Sequence, residues 1–231
     1  MRRIATSALA FLVLAPAIAG ARQRLPELTV LGASPTAQPV DQLYHRASAP
    51  DDPALTALDP ASGTVLEWSA TKLGLISAWA ATPARTVRVA VIDSGADTTR
   101  PDLSGIVVRA HDATLGGSDP RTDTEGHGTH VASLACARTD DGAGIAGAGG
   151  RACRLIVEKS DLTDVSIAAA IVDAVQHGAK VINMSFGGPG AASSLMRRAI
   201  TYAYQHDVVL VAAAADDPVS AQGEPANLLE P

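Results

Sequence analysis

Residues 153–184 read CRLIVEKSDLTDVSIAAAIVDAVQHGAKVINM, and this stretch decides the fold. Cys153 to Glu158 is a short, mostly apolar run of strand length. Ser166 to His177 carries apolar residues at helical spacing, with Asp164 placed to cap its start and Gly178 to close its end. Lys180 to Met184 is a second short strand. A strand, a helix and a strand at this spacing form a crossover unit, with the strands parallel and the helix on one face. The pattern continues downstream with a helix over Ser193–His206 and a strand over Val208–Ala214. Upstream, Leu73, Leu75, Ile76 and Trp79 place a helix before the apolar strand Val87–Ile92, which ends in Asp93-Ser94-Gly95. Gly105–Arg109 reads as another strand, residues 111–125 as a polar surface loop and Gly128–Ala137 as a helix. Thr139–Gly150 holds five glycines and reads as a loop of tight turns. The expected fold is α/β, a three-layer arrangement of a parallel sheet with helices on both faces. Chemistry in such sheets gathers beyond the carboxyl ends of the strands, and Asp93, Ser185 and Asp216 all fall there.

Composition narrows the class. The 231 residues suffice for one domain with a sizeable core. The chain is 47% hydrophobic but only 3% aromatic, as buried parallel strands and small-residue helices require. A formal charge of -6 argues against a nucleic-acid partner. Residues 1–21 have the plan of a secretory signal: Arg2 and Arg3, an apolar run to Ile18, then small residues for cleavage. The alternative, a membrane anchor, meets an apolar run that is short for a span. The exported product is therefore expected to be secreted, with no stable membrane anchor. In that oxidising setting Cys136 and Cys153 are expected to form a disulfide, against the alternative of two buried thiols. Residues 22–64, broken by six prolines, read as an extended linker or short pro-segment, and residues 65–231 as the folded domain.

The chemistry centres on Glu125–Ala132, EGHGTHVA. A histidine between two glycines at the mouth of a helix is fixed in place, and imidazole is the side chain suited to moving protons near neutral pH. An acid that ends a strand, Asp93, and a Gly/Ser edge, Ser185–Gly188, complete an arrangement suited to hydrolysing a peptide held by strand pairing.

These stretches resemble the subtilase (subtilisin-like) serine proteases. The resemblance rests on VAVIDSGAD around Asp93, PDL at Pro101–Leu103, GHGTHVA around His127 and VINMSFGG at Val181–Gly188, and it runs from about Trp68 onward. Acid before histidine is also that family's chain order. The resemblance implies a secreted endopeptidase acting on peptide or protein substrates, in which Asp93 orients His127 as the general base. His130 would be structural, since helical metal pairs bring an acid of their own. Ser185, Phe186 and Gly187 would line the substrate cleft, with ordinary packing as the alternative for Phe186. Asp102 matches a position that ligates structural Ca2+ in many subtilases, and Asp140 and Asp141 follow in the loop where further oxygens would come; the alternative is three solvated aspartates. No organic cofactor and a monomer are expected.

Two departures qualify the resemblance. Where the family places the asparagine that donates to the oxyanion, this chain has Asp216. No GTSMA-type segment bearing the nucleophile occurs, and the serines after Ser185 are Ser193, Ser194 and Ser220. The domain is therefore expected to be incomplete, with the acid and the base of a triad but no nucleophile. The competing function is a non-catalytic peptide-binding protein of the same fold. A nucleotide site in a generic doubly wound fold lacks both GxGxxG after a strand and a Walker-type loop.

Overall fold

The apolar strand Val87–Asp93 (β1) occupies the centre of a sheet, with its last four residues buried. The structure is a computed structural model that describes residues 50–81, 85–188, 193–214 and 223–228. All of these lie in one unit, Ala49–Pro231. The signal segment, residues 22–49 of the expected linker, Asp216 and Ser220 lie outside the described residues.

Four further strands, Val107–Asp112 (β2), Cys153–Lys159 (β3), Val181–Met184 (β4) and Val209–Ala212 (β5), make an all-parallel sheet in the order β2-β3-β1-β4-β5. The helices are Trp68–Lys72 (α1), Leu75–Ala81 (α2), His127–Cys136 (α3), Asp164–Gln176 (α4) and Ser194–Gln205 (α5). Side chains alternate across a strand, so β1 serves two layers. Ala90 and Ile92 join Ile156, Ile182 and Met184 in a buried cluster with α4 and α5. Asp93, of the opposite parity, faces α3. The fold is thus the expected three-layer α/β arrangement. From β1 the chain builds outward to β3 and β2 on one side and to β4 and β5 on the other. Asp93 therefore ends the strand at which the winding reverses, the place where open sheets present a crevice.

Several elements differ from the sequence expectations, each for a local reason. α4 is capped by Thr163, whose hydroxyl accepts from the Ser166 N–H at 3.3 Å, while Asp164 is the first helical residue. The helix expected over residues 73–79 is broken by Gly74 (φ 69°), so α1 and α2 are separate. β2 starts later than expected and runs to Asp112, which puts His111 in a strand rather than a loop. Residues 50–64 do not behave as extended linker. Pro53–Leu55 form a 3-10 turn, Ala54 N–H donates to Gly144 O at 3.1 Å, and Leu58 bridges Val65. The segment folds back because Ala54 and Asp52 are buried against the glycine-rich loop. Cys136, ending α3, is bridged to Cys153, opening β3, with Cα atoms 5.4 Å apart. Among the described residues no helix is long and apolar enough to cross a membrane.

Candidate active site

β1 delivers Asp93 and the N-terminus of α3 delivers His127 to the same end of the sheet. Asp93 is buried, and its Oδ1 lies 2.8 Å from His127 Nδ1. A buried carboxylate facing Nδ1 selects the tautomer with hydrogen on that nitrogen, which leaves the Nε2 lone pair free to take a proton. The His127 side chain is 54% exposed, so the imidazole stands open to solvent. The Ser94 N–H donates to Asp93 Oδ1 at 2.8 Å and steadies the carboxylate.

The approach of α3 to β1 depends on Gly128. A Cβ there would strike Gly95 O and press on the Asp93 side chain. Ser94 and Asp123 fasten the same junction. Ser94 Oγ donates to Asp123 Oδ1 at 2.9 Å and accepts from Gly128 N at 3.0 Å. Asp123 also accepts from Gly126 N at 2.9 Å and from Thr129 N and Oγ1 at 2.8 and 2.7 Å. Burial opposes ionisation of Asp123, but the hydrogen bonds from Thr129, Gly126 and Ser94 outweigh it and hold the carboxyl below the ordinary carboxylate range. Asp123 was not singled out in the sequence; its signal is an acid a few residues before a glycine-framed helix start, where it satisfies helix N–H groups.

The segment leaving β4 forms the flank of this end. Asn183 Nδ2 donates to Ser185 Oγ at 2.9 Å, and Gly188 pairs with Glu224 through two hydrogen bonds of 3.0 Å. Gly187 is exposed and Ser185 half-buried. The Phe186 ring packs against the α4–α5 core, so the packing alternative describes its surroundings.

The acidic loop is assembled differently from the sequence expectation. The Asp140 carboxylate is ion-paired with Arg151, and its Oδ1 also accepts from Asp51 N. Asp141 is paired with Arg138 at 3.1 Å, and a further acid, Asp52, which no sequence signal marks, lies close enough for the charges of Asp141 and Asp102 to act on it. Asp52 is 2% exposed; its Oδ2 accepts from Asp140 N at 2.7 Å, and its Oδ1 has no partner among the described residues. Burial, with the charges of Asp141, Asp51 and Asp102 adding, pushes the Asp52 carboxyl up to about 6. Burial likewise raises Glu67 to about 7, with Asp52 and Asp102 adding, although Glu67 accepts from Ala146 N at 3.0 Å. Any side chain on Gly144 would run into the Asp102 carboxylate. Crowded acids, an unpartnered buried oxygen and a loop with no side chain to spare form a donor set suited to a hard cation.

A sequence profile described as the Subtilase family matches residues 84–228. The chain is 41% identical over 143 residues to the thermophilic serine proteinase of Bacillus sp. (strain AK1), covering 60% of this chain and 35% of that protein. It is 36% identical over 159 residues to thermitase of Thermoactinomyces vulgaris, covering 67% of this chain and 56% of that protein. Among solved structures it resembles fervidolysin from Fervidobacterium pennivorans, a keratinolytic enzyme related to subtilisin. That match has a TM-score of 0.56 at 29% identity and covers 77% of this chain and 31% of the other. The chain thus spans about a third to just over half the length of these relatives.

Proposed function

The chain belongs to the subtilase family, and from that premise we propose that it is the acid-and-base portion of a secreted serine endopeptidase. The observation that carries the reading is the 2.8 Å contact between Asp93 Oδ1 and His127 Nδ1, with the rest of the imidazole open to solvent. In this reading His127 Nε2 takes the proton of a serine hydroxyl as that oxygen attacks a peptide carbonyl. His127 then returns the proton to the leaving amine, while Asp93 stabilises the imidazolium in between. The peptide lies along Ser185–Gly187 and pairs with it through backbone hydrogen bonds. The serine comes from a GTSMA-type segment, which residues 1–231 do not contain. Residues 1–21 direct export, and the Cys136–Cys153 bridge suits the oxidising destination.

A structural calcium ion belongs to the same proposal. The carboxylates of Asp52 and Asp102 and carbonyl oxygens of the following glycine-rich loop would hold it, and it would neutralise the crowded acids there.

Asp216 favours a second reading. An ionised carboxylate at the oxyanion position repels the charge that an amide would stabilise, and a missing donor there costs on the order of 3 kcal/mol of transition-state stabilisation. That reading is a peptide-binding protein without turnover. A fluorophosphonate probe separates the two. The full gene product is expected to be labelled and residues 1–231 alone to stay unlabelled. Labelling of residues 1–231 would overturn the absence of a nucleophile, and peptide binding without labelling of the full product would establish the second reading.

A further inference from the structure

The face of the sheet opposite Asp93 and His127 carries a second group of ionisable side chains. His111 of β2 and Glu158 of β3 are side-by-side partners in the sheet, and Asp173 of α4 closes over them. His111 Nδ1 lies 2.8 Å from Glu158 Oε2 and 3.9 Å from Asp173 Oδ2. One ligand atom from each of the three falls within 4.8 Å of the others. Glu158 is fully buried, and its Oε1 has no partner among the described residues. Burial, with the adjacent Asp173 charge and a side-chain hydrogen bond to Asp173, pushes its carboxyl up to about 10. A glutamate in the middle layer of a parallel sheet is costly unless its oxygens are used. Arg109 grips Asp173 through Nε at 2.5 Å and Nη2 at 2.6 Å, and His177 Nδ1 stands 3.2 Å from Asp173 Oδ2. The Asp173 carboxylate is thereby fixed in direction. His111 is partly exposed and borders a groove of about 640 Å³ between α4 and α5, which gives an ion a way in.

We propose that His111, Glu158 and Asp173 form a binding site for a divalent transition-metal ion of the zinc class, separate from the catalytic dyad and from the calcium loop. One imidazole nitrogen with two carboxylates suits zinc or cobalt, whereas calcium selects an all-oxygen shell. Ligand atoms around a zinc ion stand about 3.4 Å apart in a tetrahedral shell. The distances of 2.8 and 3.9 Å straddle that figure, so with Asp173 held by Arg109 a small rotation of the partly exposed His111 ring evens them. Glu158 Oε2, the oxygen already facing His111, is the ligating atom, and the groove supplies water for the fourth position. Arg109 plays the outer-shell part of orienting a ligating carboxylate. The site does not depend on the peptidase reading.

The test is calorimetric titration of the 231-residue chain with Zn2+, and with Co2+ as a coloured probe, in saturating calcium. One saturable equivalent is expected, with a Co2+ absorption spectrum of a mixed nitrogen and oxygen shell. Glu158→Gln, a neutral isostere of the protonated acid, and His111→Asn are each expected to weaken binding by about tenfold or more. Asp59→Asn, in the turn before α1, is expected to leave it unchanged. Circular dichroism identifies the variants that remain folded. Absence of a saturable equivalent, or unchanged affinity in a folded Glu158→Gln or His111→Asn protein, overturns the site and leaves the cluster a polar network. If neither variant folds, the cobalt spectrum of the parent chain decides: a shell with a nitrogen ligand upholds the site, and an all-oxygen shell overturns it.

Discussion

Asparagine at position 93 would keep the shape of the side chain and lose its charge. The His127 ring could then settle with hydrogen on Nε2, the wrong nitrogen for a base facing a hydroxyl. On the proposed function, Asp93→Asn in a protein that carries the serine segment is expected to lower kcat by roughly ten-thousand-fold with little change in KM, as steady-state kinetics on a peptide substrate would show. Both members of this pair were legible in the sequence because each sits in a contiguous motif at an element end. Asp52 was not legible. Its partners are 88 residues away, at Asp140, and nothing in the Pro-rich stretch around it marks an acid about to be buried. Glu158 stood in plain view at the end of an apolar run, but its neighbours His111 and Asp173 come from a different strand and a helix. A single strand's pattern cannot reveal that three such groups share one face.

At the scale of elements, the alternation of strands and helices was legible because parallel strands and amphipathic helices have different periods. Ends were less so, since a cap is decided by one hydrogen bond. Thr163 and Asp164 are both competent N-cap types, and only the extended backbone of Thr163 (φ -77°, ψ 152°) makes it the cap. Thr163→Ala is therefore expected to destabilise the protein by about 1 kcal/mol in urea unfolding. Asp164→Ala should cost no more than several tenths, because Asp164 contributes only through the helix dipole. A larger loss from Asp164→Ala would return the cap to Asp164. The same reasoning explains β2. The polar text after Arg109 suggested a loop, yet His111 and Asp112 hydrogen-bond in register with Glu158 and Lys159. Pairing with a buried neighbour overrode local polarity.

For the whole molecule, the acidic loop sets a pH dependence. In chelator, Asp52 and Glu67 titrate near 6 and 7 in the folded state, above their ordinary values of 3.8 and 4.5. The folded chain thus holds protons that the unfolded chain releases, and stability falls as pH rises from about 4 to about 7. A bound calcium ion replaces those protons, so melting temperatures measured with calcium should lose that decline and exceed those in chelator near neutral pH. Identical profiles in both conditions would remove the ion from the account. The folded-back segment also bears on rates. Asp52 to Asp140 and Asp51 to Gly142 join residues 88 and 91 apart. Closing so long a loop costs only slightly more than closing a shorter one. It can happen only once the sheet has brought both ends together, which places it late in folding. Interactions absent from the transition state slow unfolding and leave the folding rate unchanged. Free calcium would therefore govern how long a folded molecule survives at high temperature, while the speed at which it first folds stays the same.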